Sequence, residues 1–221
     1  MSDLLSQLAI CIERGKADIN SPYPPDLRGQ EGANELTLKA LQSGISANDI
    51  LKEALMVGMR RVGDKFSKGQ AFIPDLLIAA KAMKASMQHL KPYFESGEAL
   101  HKGTFVLGTV KGDLHDIGKN IVRMVLEGDG WKVVDLGADV SAEKFLTAVD
   151  QYPGCMIGLS ALLTTTMINM EEIIKTVRIK YPDLKIFIGG APVTTAFSDK
   201  IKASGYFPDP QQLVNFLSQP A

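Results

Sequence analysis

The sequence predicts an α/β protein in two parts, a helical bundle followed by a five-stranded parallel sheet. Two observations carry that prediction. Apolar residues in the first 95 positions recur at helical spacing, and after residue 103 short apolar runs alternate with amphipathic stretches. Between these halves, residues 95–103 are polar and carry glycine, the composition of a linker. The expected division is 1–95 for the helical bundle, 96–103 for the linker and 104–221 for the α/β domain. At 221 residues the chain can form one large or two small domains, each burying a real core.

In the first half, residues 2–14 and 31–43 supply two helices. The piece between them, 20–32, contains Pro22, Pro24 and Pro25 and reads as an extended loop. Leu51, Leu55, Gly58, Val62 and Phe66 line one face of a third helix, with Ser46 and Asp49 as its start signal. Leu76, Ala80, Met83, Met87 and Leu90 line a fourth, opened near Pro74 and closed by Pro92. Met56, Met59, Met83 and Met87 fall at helical spacing, as core-filling methionines do. Four such helices with short connections make a small bundle. In the turn 63–74, Phe66 and Phe72 read either as core anchors or as an aromatic lid facing a ligand.

In the second half, strands are expected at 104–110, 131–136, 156–160 and 185–188, with a weaker fifth at 206–207. Helices are expected at 117–127, 142–151, 166–180, 194–203 and 211–218. Strict alternation of the two implies a parallel sheet covered on both faces. The flavodoxin-like (Rossmann-like) order 2-1-3-4-5 follows, because strand 1 carries the most distinctive loop and the switch point then lies between strands 1 and 3. The loops 113–118 and 160–166 would face one crevice.

Composition removes several function classes. The 24 basic and 25 acidic residues are spread along the chain, so there is neither a basic nucleic-acid arm nor an acidic tail. Cys11 and Cys155 are isolated, without the spacing of a metal or redox motif, which suits a reducing compartment. The N-terminus carries Asp3 and lacks the basic start and cleavage site of a signal peptide. No apolar stretch reaches the roughly 20 residues needed to span a bilayer. The expectation is a cytoplasmic protein with no nucleic-acid or membrane partner.

The most informative stretch is V-K-G-D-L-H-D-I-G-K-N-I-V at 110–122. Asp113, His115 and Gly118 form D-x-H-x-x-G between the first strand and its helix, where open α/β sheets bind ligands. His115 is one of three histidines, and a carboxylate two residues before it can fix the tautomer of a metal-bound imidazole and raise its basicity. An exposed loop histidine is the plainer alternative. No other His or Cys clusters nearby, so one imidazole suits a metal that brings its remaining ligands in a macrocycle. Gly118 either opens the helix against the sheet or lets a ligand approach the backbone. In the run 160–166, S-A-L-L-T-T-T, one hydroxyl reads as a helix cap and the others as partners for a polar ligand arm. Gly189-Gly190 by itself is a turn.

Together these motifs resemble the cobalamin-binding proteins related to methionine synthase, in particular the corrinoid proteins of methyltransferase systems. The likeness rests on G-D-L-H-D-I-G at 112–118, on Ser160, Leu162 and Thr164, and on I-G-G-A at 188–191. It extends to G-M-R-R-V-G-D-K-F at 58–66 and F-I-P-D-L-L at 72–77, typical of that family's helical cap, and spans about residues 45 to 203. The strand 5 region reads A-S-G-Y-F-P-D-P, where the family commonly has a longer Ala/Gly/Asp-bearing turn.

The resemblance implies a site. Its cofactor is cobalamin, cycling between methylcobalamin and cob(I)alamin and bound base-off with His115 as the lower cobalt ligand. Gly112, Asp113, Leu114, Asp116, Ile117 and Gly118 surround that ligand. Asp113 bonds the far imidazole nitrogen and the Thr166 hydroxyl continues the relay, where methionine synthase has Ser. Ser160 and Thr164 bond the nucleotide tail beside Leu162, with Gly118, Gly189 and Gly190 giving it room. Phe72 and Leu76 shield the upper, methyl-bearing face. Protonation of the Asp–His pair is expected to favour cob(I)alamin.

The implied function is that of a non-catalytic methyl carrier. Its partners are a substrate:corrinoid methyltransferase, a corrinoid:tetrahydrofolate or thiol methyltransferase, and a reductive activase. The alternatives are a cobalamin-dependent sensor or regulator, which needs a DNA-binding segment or fused effector, and the cobalamin subunit of an isomerase, which needs a large catalytic partner.

Overall fold

The computed structural model describes residues 3–97 and 99–219; Ser2, the expected start of the first helix, and Glu98 of the expected linker lie outside the described residues. The chain packs into two compact units. One comprises Met1–His101, Met124–Gly130 and Ser218–Ala221, the other Lys102–Arg123 and Trp131–Leu217.

The first unit holds α1 (Asp3–Arg14), α2 (Ala33–Gln42), α3 (Ala47–Ile50), α4 (Met56–Ser67) and α5 (Ile73–Glu95). The Ser46 hydroxyl caps α3 by accepting the Asp49 amide at 3.1 Å, as the start signal implies. α3 passes through a π-helical turn, Leu51–Leu55, into α4 without leaving helical dihedrals, so the three segments form one rod. The helical period gave no sign of that turn. Leu51, Leu55, Gly58 and Val62 are buried as read, while Phe66 is half-buried. At Gly58 a Cβ would stand 2.6 Å from the Ala9 carbonyl oxygen, so α1 and α4 approach too closely for any side chain.

Two expectations need correction here. The Pro-rich loop is not wholly extended, because Pro25–Leu27 forms a 3₁₀ turn. Nor does Pro92 close α5, which runs on to Glu95. Proline removes one amide donor from a helix. Placed in the final turn it forfeits little, and its own carbonyl accepts Ser96 N at 2.9 Å.

In the second unit five strands, β1 (Thr104–Thr109), β2 (Lys132–Asp135), β3 (Met156–Ser160), β4 (Ile186–Gly189) and β5 (Gly205–Tyr206), form a parallel sheet. Their order is β2-β1-β3-β4-β5, as expected. Its helices are α7 (Ala142–Gln151), α8 (Thr164–Met167), α9 (Asn169–Lys180), α10 (Thr195–Lys200), α11 (Pro210–Leu217) and the first part of α6 (Ile117–Gly128), whose residues from Met124 on belong to the first unit. Val106, Phe145, Ile157, Ile173, Val177 and Ile186 belong to one buried cluster. β1 and β3 are central, with apolar layers on both faces, which is why they read as unbroken apolar runs. The helix expected at 166–180 begins at Thr164 and breaks at Ile168 into α8 and α9. α10 is shorter than expected and ends ahead of Lys202, which takes a left-handed conformation at φ 57°.

Candidate functional site

Register sets the scaffold. Thr109 pairs with Ser160, and Ser160 pairs with Gly189, so the carboxyl ends of β1, β3 and β4 lie side by side. The loops that follow hold the expected residues at one edge of the sheet, the general ligand position of such folds.

The chain leaves β1 through a single bridge, Val110 to Val140, and turns at Gly112, whose φ of 81° suits only glycine among common residues. The Thr109 hydroxyl donates to the His115 carbonyl at 3.0 Å, and Asn169 Nδ2 donates to the Lys111 carbonyl at 2.7 Å. Asp116 serves the start of α6: its carbonyl accepts Asn120 N at 2.8 Å and its carboxylate accepts Asn120 Nδ2 at 3.0 Å.

Asp113 is the centre of the site. Its side chain is fully buried. Oδ1 accepts the His115 amide at 3.0 Å and faces His115 Nδ1 at 2.8 Å. Oδ2 accepts the amides of Leu162 at 2.8 Å and Leu163 at 3.2 Å, and the Thr166 hydroxyl at 2.6 Å. Burial alone would raise its pKa. The donors from Thr166, His115 and Leu162 outweigh that and hold the carboxyl well below the usual carboxylate range. A carboxylate so held only accepts, so the proton of the shared bond sits on His115 Nδ1. In the neutral ring Nε2 then carries the free lone pair. The His115 side chain is 51% exposed, so that lone pair belongs to an accessible ring.

The same contacts explain the early start of α8. Its N-cap is Leu163, without a side-chain cap, so the expectation that a threonine of the run caps this helix is not met. The carboxylate of Asp113 takes up amides ahead of the helix instead, and the Thr166 hydroxyl turns to it as well.

The hydroxyls of half-buried Ser160 and exposed Thr164 make no hydrogen bond among the described residues and are available to a ligand. A Cβ built on Gly118 or on Gly189 meets no atom within 4 Å, so the protein's own packing does not demand glycine at either position. Gly190 differs. A Cβ there would fall 1.8 Å from the Ala161 carbonyl oxygen, and φ is 131°, so the fold itself requires this glycine. Leu114 and Ile117, close to His115 in the chain, and Leu162, whose amide meets Asp113, are 75%, 71% and 44% exposed, apolar exposure of the kind that marks a binding surface. Phe72 and Leu76 lie in the first unit; Phe72 is accessible at 68% exposure, while Leu76 is buried.

Sequence reasoning missed Asp139, whose backbone sits at φ 54° and whose Oδ1 accepts Gly112 N at 2.7 Å. The only sequence signal was its place in L-G-A-D-V, a turn after β2. It also missed the ion pair of buried Lys119 with Asp135, at 2.6 Å.

Among the described residues no group of three or more His, Cys, Asp or Glu side chains could hold a metal ion. One accessible imidazole, exposed apolar residues beside it in the chain, backbone at Gly118 and Gly189 that no neighbouring atom crowds, and unengaged hydroxyls fit a large planar cofactor that brings its own equatorial ligands. Parallel α/β domains with an accessible, carboxylate-bonded histidine on the first strand's loop are the cofactor-binding class the fold and site define.

The comparisons with known proteins agree. The B12 binding domain model matches residues 103–210, and a second B12 binding domain model matches 29–91. The chain belongs to the B12-binding domain family and is a corrinoid protein. It is 41% identical over 182 residues to trimethylamine corrinoid protein 1 of Methanosarcina acetivorans, covering 80% of this chain and 84% of the relative. It is 40% identical over 165 residues to dimethylamine corrinoid protein 1 of that organism, covering 73% and 78%. Among solved structures, a cobalamin-binding protein from Desulfitobacterium hafniense superposes with TM-score 0.74 at 32% identity, covering 96% of each chain. The methanol:cobalamin methyltransferase complex MtaBC from Methanosarcina barkeri gives TM-score 0.77 at 30% identity, covering 98% of this chain and 78% of that one.

Proposed function

We propose that this protein is a methyl carrier that holds cobalamin base-off, with Nε2 of His115 as the lower axial ligand. The observation that carries this reading is the bond between His115 Nδ1 and Asp113 Oδ1, 2.8 Å long, on a carboxyl held ionised. It fixes the tautomer and raises the basicity of the nitrogen left free. When bound, cobalamin supplies a cobalt centre able to accept and release a methyl group.

The protein's residues supply the rest. Gly118 and Gly189 leave room for the nucleotide tail, and Ser160 and Thr164 offer it hydroxyls. Asp113 faces the Nδ1 proton of the imidazole through Oδ1, and the Thr166 hydroxyl holds that carboxylate by its other oxygen. The first partner is a substrate:corrinoid methyltransferase. This is supported by the trimethylamine and dimethylamine corrinoid relatives and by the likeness to a chain of a methanol:cobalamin methyltransferase complex. The second is a methyltransferase that passes the group to tetrahydrofolate or a thiol, with a reductive activase restoring the carrier.

The test is electron paramagnetic resonance of the protein loaded with cob(II)alamin, with and without nitrogen-15 histidine. A nitrogen splitting that changes on labelling supports the assignment, and His115→Ala is expected to abolish it while retaining cofactor through the tail cleft. A splitting indifferent to the label overturns it.

A further inference from the structure

We propose that Asp139 is a positioning residue for His115, acting through the loop that carries it. The proposal rests on the reading of His115 as the axial ligand. Asp139 lies between β2 and α7 and grips the 110–116 loop at two successive residues. Its carboxylate Oδ1 accepts Gly112 N at 2.7 Å, and its own amide donates to the Asp113 carbonyl at 3.0 Å.

These two bonds lock the peptide groups on either side of the Gly112–Asp113 linkage. Gly112 is itself in the left-handed region, at φ 81°, where glycine has the widest freedom to move. The turn is closed by the Asp113 amide on the Val110 carbonyl at 3.1 Å and held at the Lys111 carbonyl by Asn169, which leaves the Gly112 amide to an external acceptor. Asp139 supplies it while sitting at φ 54°, a conformation that aspartate tolerates better than most residues but that still carries strain. The strain persists because the surrounding bonds fix it.

The consequence reaches His115 through Asp113. The side chain of Asp113 is held by donors from the loop after β3, whereas its backbone is held by Asp139. With both ends of Asp113 fixed, the imidazole on its Oδ1 has one position. Without the Asp139 carboxylate the Gly112 amide loses its acceptor and the Lys111–Gly112 peptide keeps only the Asn169 bond to its carbonyl, so the loop loosens and the ring samples positions from which Nε2 does not reach a common point. Asp139 does not touch the ring, so its effect is on the occupancy of one geometry.

The test compares Asp139→Gly, which keeps the left-handed backbone and deletes the acceptor, with Asp139→Asn, which keeps both. Cob(II)alamin-loaded proteins carrying nitrogen-15 histidine are examined by electron paramagnetic resonance, and the apo proteins by amide hydrogen exchange at Gly112. A hydrogen bond to a charged acceptor sets the expected scale, so the ratio of histidine-ligated to unligated cofactor falls about tenfold in Asp139→Gly. Gly112 protection falls with it, and Asp139→Asn, which keeps the acceptor but not its charge, retains most of both. If Asp139→Gly fails to fold, Asp139→Ser, whose hydroxyl falls short of the Gly112 amide, takes its place with the same expectation.

An unchanged ligation ratio in the acceptor-deleted protein overturns the proposal, as does an Asp139→Asn variant equally defective. A wild-type spectrum that ignores the label overturns the axial-ligand reading instead, and Gly112 exchange then still decides whether Asp139 restrains the loop.

Discussion

The Thr166 hydroxyl donates to Oδ2 of Asp113 at 2.6 Å across 53 residues of sequence, on the opposite side of the carboxylate from His115. One buried charge therefore ties the loop after β1 to the start of α8. The strength of that tie is open to direct measurement.

Asp113 contributes pH-dependent stability. Its carboxyl lies below the ordinary value of about 3.9 only in the folded protein, so the contribution is complete above roughly pH 5 and is lost as pH falls toward the depressed folded value. Asp113→Asn should be less stable than wild type at pH 7 by about 2–3 kcal/mol, with the gap narrowing by roughly 1 kcal/mol at pH 3. Denaturant unfolding of the apo proteins at the two pH values checks this; a gap independent of pH contradicts it.

Gly118, Gly189 and Gly190 should not behave alike. Gly118→Ala and Gly189→Ala meet no protein atom within 4 Å, so the apo proteins should melt near the wild-type temperature while cobalamin binding weakens. Gly190→Ala should destabilise the protein by more than about 3 kcal/mol, because the new Cβ strikes the Ala161 carbonyl and φ is unfavourable. Thermal melting paired with cobalamin titration separates the cases. Wild-type cobalamin affinity in both of the first two variants would remove these positions from the binding site.

Ser160 and Thr164 are expected to act on the ligand alone. Since neither hydroxyl bonds another described residue, Ser160→Ala and Thr164→Ala should leave apo stability within about 0.5 kcal/mol of wild type. Each should weaken cobalamin binding by roughly 5–10-fold, the scale of one hydrogen bond. Equilibrium titration gives the answer, and unchanged affinity in both would show that the tail does not use them.

Lys119 is a structural charge. Its side chain is 2% exposed and its ammonium contacts both oxygens of Asp135 at 2.7 and 2.6 Å. Lys119→Met leaves Asp135 without its cation, though about a quarter exposed to water, and should cost about 2–3 kcal/mol. Urea unfolding at pH 7 measures this, and a loss below about 0.5 kcal/mol would show that the pair contributes little.

The sequence by itself determined the alternation of strands and helices, the strand order and the edge of the sheet at which the loops gather. The alternation follows from periodicity, which acts over short windows of chain, and the order from the distinctive loop after strand 1 of a doubly wound sheet. It also pointed to the pairing of Asp113 with His115, because only Leu114 lies between them. Tertiary structure alone decided that the amides of Leu162 and Leu163 converge on Asp113, that Asp139 grips Gly112, that Lys119 finds Asp135, and that Gly190 serves the fold while Gly118 and Gly189 leave space. Each of these depends on the register between segments from 16 to 50 residues apart, or on where a neighbouring backbone passes. No local pattern of residue types encodes such distances; they exist only once the strands are side by side.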